Sequence, residues 1–197
     1  MIPDLFLLSF FWILFCVLHS LLAAPRFKNR MKALMGKSFI FYRPFYIIFA
    51  FVTMIAIIIF QVNMNDVQLY LLSTALFLGG IVVCFSGLVL MIVCIEKYFI
   101  LLSGIPDLFQ RNGTSRLMIT GIHRYVRHPL YLGTFVFIWG LFVLLPYAGL
   151  LITNVIITVY TLIGIKLEES KLVEEFGEDY RLYRKKVPML LPDFRYR

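Results

Sequence analysis

Charge is scarce in this chain. Asp, Glu, Lys and Arg make up 15% of the 197 residues, against 61% hydrophobic, and the mean hydropathy is +0.88. Soluble domains carry about 25% charged residues, so that class is excluded. Cysteine is nearly absent too. Cys16, Cys84 and Cys94 each fall inside an apolar run, with neither metal-ligand spacing nor a disulfide framework, and read as small packing residues. No metal site is expected. No Lys or Arg precedes the first apolar run, although Asp4 does. Ala23-Ala24 looks like a cleavage site, but the run exceeds the roughly 7–15 residues of a signal-peptide core, so it reads as an uncleaved anchor.

What is present is hydrocarbon-compatible helix. A bilayer core takes about 20 mostly apolar residues per crossing. Residues 4–24, 40–61, 70–95, 130–145 and 147–165 qualify or nearly so, and the last two form a hairpin around Pro146. The expected fold is an all-α integral membrane protein with five transmembrane helices, a C-terminal helical hairpin and a cytoplasmic C-terminal helix. Residues 1–100 form a three-helix membrane region; residues 101–197 hold a loop, the hairpin and the tail. The Lys and Arg residues fall in three blocks, Arg26 to Arg43, Lys97 to Arg127 and Lys166 to Arg197, while residues 1–3, 62–69 and 146 have none. The positive-inside rule makes those blocks cytoplasmic, with the N-terminus outside and the C-terminus inside. Basic residues beside membrane helices face anionic lipid headgroups, each contributing on the order of 1 kcal/mol. The net charge of +8 is thus accounted for by membrane lipids, without nucleic acid.

Within the spans, small and polar residues recur at spacings of three and four: Ser9, Trp12, Cys16, His19 or Ser20 and Ala23 in the first; Arg43, Tyr46, Ala50 and Thr53 in the second; Gly80, Cys84, Gly87, Met91 and Cys94 in the third. Such stripes face a bundle rather than lipid. His19 reads as a hydrogen-bonded bundle histidine or a catalytic one, and Arg43 as a snorkelling anchor or a site residue.

The densest charge near hydrocarbon is Gly121-Ile122-His123-Arg124-Tyr125-Val126-Arg127-His128-Pro129-Leu130-Tyr131-Leu132-Gly133. Pro129 suits a first helical turn and pushes His128 out of helical geometry. Arg127 and His128 then sit at a helix start, where the dipole adds to their charge and favours an anion. A snorkelling anchor explains this stretch about as well. The last span shifts the balance. Asn154, Thr158, Thr161 and Glu168 share one face, and a hairpin brings Glu168 back towards Arg127 and His128. Arg, His and a carboxylate, rimmed by Tyr125, Tyr131, Tyr180 and Tyr183, suit a zwitterionic ligand with a cationic centre, to which each aromatic face adds roughly 0.5–2 kcal/mol.

The segment 121–133, followed by Glu-Glu-Ser-Lys-Leu-Val-Glu-Glu-Phe-Gly-Glu-Asp-Tyr-Arg-Leu-Tyr-Arg-Lys-Lys-Val-Pro (168–188), resembles the isoprenylcysteine carboxyl methyltransferase and phospholipid methyltransferase superfamily over residues 116–192. His19-Ser20-Leu21-Leu22-Ala23, with Lys28 and Tyr42-Arg43, is similar to its nurim and methanethiol S-methyltransferase branch. The resemblance implies S-adenosyl-L-methionine in a cytoplasm-facing pocket. His128, Pro129, Leu130 and Tyr131 would line it, with His123 where the family usually has tyrosine. Ser115, Arg116, Leu117 and Met118 would give backbone contacts, and Glu168 would hold the cofactor. Eukaryotic prenylcysteine enzymes have a substrate-binding arginine one turn before that glutamate, where Gly164 stands here.

The expected activity is methyl transfer to a lipophilic or small thiol or carboxylate acceptor. Positioning and exclusion of water would supply most of the rate gain. Arg127 and His128 are the catalytic candidates: Arg127 to orient an anionic group, and His128 or His123 to take a thiol proton. The alternatives are a nurim-like scaffold without catalysis and a small transporter lined by Asn154, Thr158 and Thr161. Oligomeric state is not legible.

Overall fold

A computed structural model describes residues 2–103 and 117–192, with side chains from Ile2 to Glu96 and from Leu117 to Pro192. Its helices are α1 (Ile2–Ala23), α2 (Pro25–Met35), α3 (Tyr42–Asn63), α4 (Thr74–Ser103), α5 (Pro129–Leu144) and α6 (Ala148–Lys186), with short 3-10 helices at Gly36–Phe41 and Gly121–Arg124. Helix is the only regular way to cross hydrocarbon within one segment, because each backbone polar group is then paired internally. Among the described residues, four helical stretches are long and apolar enough to cross a membrane: Ile2–Ala23, Pro25–Asn63, Thr74–Glu96 and Ala148–Lys186. The expected fourth crossing, α5, is a helix of 16 residues held between Pro129 and Pro146. At 1.5 Å per residue it spans about 24 Å, short of a core about 30 Å thick.

The chain divides into two compact units. The first comprises Met1–Leu71 and Pro146–Ile157. Leu8, Trp12 and Ile57 form its core, with Phe11, Phe15, Met54, Phe60 and Ile156 packed around them. The expected stripe on α1 is present at Trp12 and Cys16, which are buried. At the far end of α3 the chain is pinned to the start of α6. Val67 O accepts from Ala148 N–H, Pro146 O from Leu69 N–H, and the Asp66 carboxylate from Gly149 N–H, with both oxygens at 3.1 Å. Asp66 also accepts from Val67 N–H at 2.7 Å. A carboxylate here meets the orphan donors and the positive dipole end of a helix start. Deeper in, Thr153 donates to Gln61 at 2.9 Å.

The second unit comprises Leu72–Leu145 and Thr158–Arg197. Its closest helix pair is α4 with α5, and the third expected stripe is the reason. Gly80, Gly87 and Cys94 are buried, with Cys84 and Met91 half-buried between them. A methyl group on Gly87 would run into the backbone of Phe137, and one on Gly140 would lie 2.6 Å from Cys84 N. Only glycine permits that approach, which replaces the hydrophobic drive that lipid cannot supply. Between α5 and α6 long side chains bridge instead: Trp139 Nε1–H donates to Thr158 at 3.2 Å. α6 runs past Ile165 into a charged extension and bends at Gly177, whose φ of 57° is a left-handed conformation.

Candidate functional site

The entry into α5 builds the site. Gly121, with φ of 65°, opens the 3-10 turn that carries His123 and Arg124. His128 stands as the N-cap residue in a non-helical conformation, and Pro129 begins the helix, as the Pro-restricted geometry predicts. The turn is tied down on both sides. His123 Nδ1–H donates to Arg127 O at 3.0 Å, and the Tyr183 hydroxyl donates to His123 O at 2.6 Å. The carbonyl can only accept, so Nδ1 carries the proton.

Arg127 and His128 turn inward to a carboxylate, and that carboxylate is Glu169. Arg127 Nε–H donates to Glu169 Oε1 at 2.7 Å, and His128 Nε2–H donates to the same oxygen at 3.2 Å. Arg184 lies 3.9 Å from the other oxygen. The Arg127 and Glu169 side chains are 9% and 10% exposed, so this is a buried ion pair. Arg127 Nη1 also donates to the carbonyls of Arg184, at 3.0 Å, and Val187. Its backbone N–H donates to Pro188 O at 2.9 Å, and that of His128 to Met189 O at 3.2 Å. The segment after α6 therefore returns against residues 127–128 and is fastened there.

Electrostatics follow from that enclosure. Burial alone would raise the Glu169 pKa, but the hydrogen bonds and charges of Arg127 and His128 outweigh it and hold the carboxyl below its ordinary range. Burial, then the Glu169 carboxylate, push the Tyr180 phenol up. Tyr180 is 1% exposed and backs the cluster rather than rimming an opening, whereas Tyr125 is exposed.

Glu168, the carboxylate that the sequence pattern put forward, sits one residue away in a different environment. It is exposed, and its Oε2 accepts from the Tyr131 hydroxyl at 3.0 Å. Pro129 is buried, Leu130 and Leu117 are half-buried, and Met118 is exposed. Ser115 and Arg116 lie outside the described residues. The carboxylate expected to meet Arg127 and His128 was Glu168; the one that does so is Glu169, which sequence reasoning passed over, while Glu168 pairs with Tyr131. In the structure Ile165, fully buried, lies one turn before Glu169 on the same helix face.

Fold and site together define a helical membrane protein with a charged cluster set at a helix mouth. Residues 70–179 match the phospholipid methyltransferase family model, and the chain belongs to that family. It is 31% identical over 189 residues to methanethiol S-methyltransferase 1 of Bradyrhizobium diazoefficiens, covering 91% of this chain and 64% of that protein. It is 45% identical over 74 residues to methanethiol S-methyltransferase of Pseudomonas deceptionensis, 38% of this chain and 28% of that protein. To protein-S-isoprenylcysteine O-methyltransferase of Schizosaccharomyces pombe it is 38% identical over 84 residues, 42% of this chain and 36% of that protein. The chain therefore spans less than two thirds of the length of these relatives. No solved structure matches it.

Proposed function

We propose that this chain is an S-adenosylmethionine-dependent membrane methyltransferase acting on a lipophilic or small thiol or carboxylate acceptor. In this reading α5 and α6 form a hairpin within five crossings, the N-terminus is outside and the pocket faces the cytoplasm. The observation that carries it is the pairing of two adjacent carboxylates on α6 with the mouth of α5: Glu169 with Arg127 and His128, Glu168 with Tyr131.

The donor set fits the cofactor. An exposed carboxylate accepts from ribose hydroxyls or an α-amino group, aromatic faces receive a cation, and the half-exposed Arg184 guanidinium meets a carboxylate. When bound, the cofactor supplies a methyl group on a cationic sulfonium. Glu168, oriented by Tyr131, binds it; His123, His128, Pro129, Leu130, Leu117 and Met118 shape the pocket. Arg127 acts from behind, holding Glu169 and the returning segment in place. Since His128 Nε2–H is committed to Glu169, its Nδ1 is the nitrogen left to take a proton from a thiol acceptor.

Equilibrium dialysis of purified protein against labelled S-adenosylmethionine tests this. Saturable binding is expected, weakened at least tenfold in Glu168→Ala, whose exposed side chain can be removed without unfolding. Absence of saturable binding in the intact protein would overturn the enzyme in favour of a scaffold, and unchanged affinity in the variant would remove Glu168 from the pocket. Mass spectrometry of membranes given labelled methyl donor then identifies the acceptor.

A further inference from the structure

We propose that the first unit holds one anionic phospholipid, its acyl chain in a groove between α1 and α3 and its headgroup on the basic helix α2. The groove has a volume of about 240 Å³ and is walled by Phe11, Phe15 and Leu18 from α1 and by Phe49, Ala56 and Phe60 from α3. Its polar side chain, Thr53, donates its hydroxyl to Phe49 O at 2.7 Å, so the wall offers no unmet polar group. Hydrocarbon, not water or a polar ligand, matches such a surface.

The helices run in opposite directions, so Leu18 and Phe49 mark the same end. Just beyond Leu18 along α1 stands His19, and Tyr46 of α3 meets it, its hydroxyl 2.7 Å from His19 Nε2. α2 joins the two helices at this end. α1 ends at Ala23, about 8 Å beyond Leu18, with Arg26 of α2 three residues on, and Arg43 lies about 9 Å beyond Phe49, at 1.5 Å per residue. Both distances put positive charge where a lipid's phosphate would follow its acyl chain.

α2 itself has the build of an interfacial helix. Phe27, Met31, Leu34 and Met35 fall at i, i+4, i+7 and i+8, while Arg26, Lys28, Arg30 and Lys32 are exposed. None of its residues is buried, and Leu34 is 80% exposed. From Arg26 to Arg43 there are six cations and no acid. That imbalance selects an anionic headgroup over a zwitterionic one.

Native mass spectrometry of delipidated protein, titrated with phosphatidylglycerol or phosphatidylcholine of the same acyl chains, tests both halves. The wild type should keep one phosphatidylglycerol at least tenfold more strongly than phosphatidylcholine. The variant R26Q/K28Q/R30Q/K32Q should bind the two equally, and Ala56→Phe, at an exposed groove position, should keep neither. Equal retention by the wild type, undiminished preference in the glutamine variant, or full retention by Ala56→Phe would each overturn the proposal. Ala56→Val, expected to weaken both lipids by a smaller factor, decides the groove if the phenylalanine variant does not fold.

Discussion

Removing Glu169 should release the segment after α6, and removing Glu168 should not. Arg127 is nearly enclosed, and taking one partner from a buried ion pair costs about 3–5 kcal/mol. The carbonyls of Arg184 and Val187 still accept from Arg127, which places Glu169→Ala near the lower end, about 3 kcal/mol. Glu169→Gln keeps an acceptor but loses its charge; exchanging a charge-assisted bond for a neutral one costs about 1–2 kcal/mol. Glu168→Ala loses one exposed bond from Tyr131, about 1 kcal/mol or less. The direct readout is hydrogen exchange at the amides of Arg127 and His128, which donate to Pro188 and Met189. At tenfold per 1.4 kcal/mol, Glu169→Ala should speed their exchange roughly 100-fold and Glu168→Ala no more than about fivefold. Acid should mimic the first variant. The Glu169 pKa is depressed below the ordinary value of 4.5, so its contribution is complete above that value and is lost as pH falls through the lower folded one. Equal deprotection by the two alanine variants would refute this division of labour.

Two further perturbations probe the frame around the site. Asp66→Ala strips the start of α6 of the carboxylate on Gly149 N–H; a loss of about 0.5–2 kcal/mol is expected, read as a lower midpoint in thermal unfolding, with Asp66→Asn recovering part of it. Gly87→Ala sets a methyl group against the Phe137 backbone and should destabilise by about 1–3 kcal/mol, whereas Gly79→Ala, which meets nothing within 4 Å, should leave the midpoint unchanged.

The stripe from Gly80 to Cys94 was readable in full because packing against one helix imposes a 3.6-residue period on sequence. The same logic could not separate Glu168 from Glu169. On a wheel of about 100° per residue they fall about 40° to one side of Asn154 and about 60° to the other. What decides between them is where residues 117–128 cross α6, a tertiary fact with no local period. Asp66 carried a legible hint, as the lone charge in the connector 62–69, but its partner lies 83 residues away. The fastening of residues 187–189 left no trace at all, since it uses backbone carbonyls that every residue possesses.

Arg127 stands at a helix mouth with its side chain only 9% exposed, and it donates to the Glu169 carboxylate and to the carbonyls of Arg184 and Val187. Lysine could not substitute, because a single ammonium does not span a carboxylate and two carbonyls set apart in a fork. Glu168 and Arg184 are exposed, and each lies next to a member of the buried cluster. Rigid placement of those two groups requires that their helix neither slide nor rotate, and the Arg127–Glu169 pair supplies that restraint at the point where α6 leaves its apolar stretch. A residue buried for architecture thereby sets the position of its exposed neighbour Glu168, the carboxylate proposed to bind the cofactor.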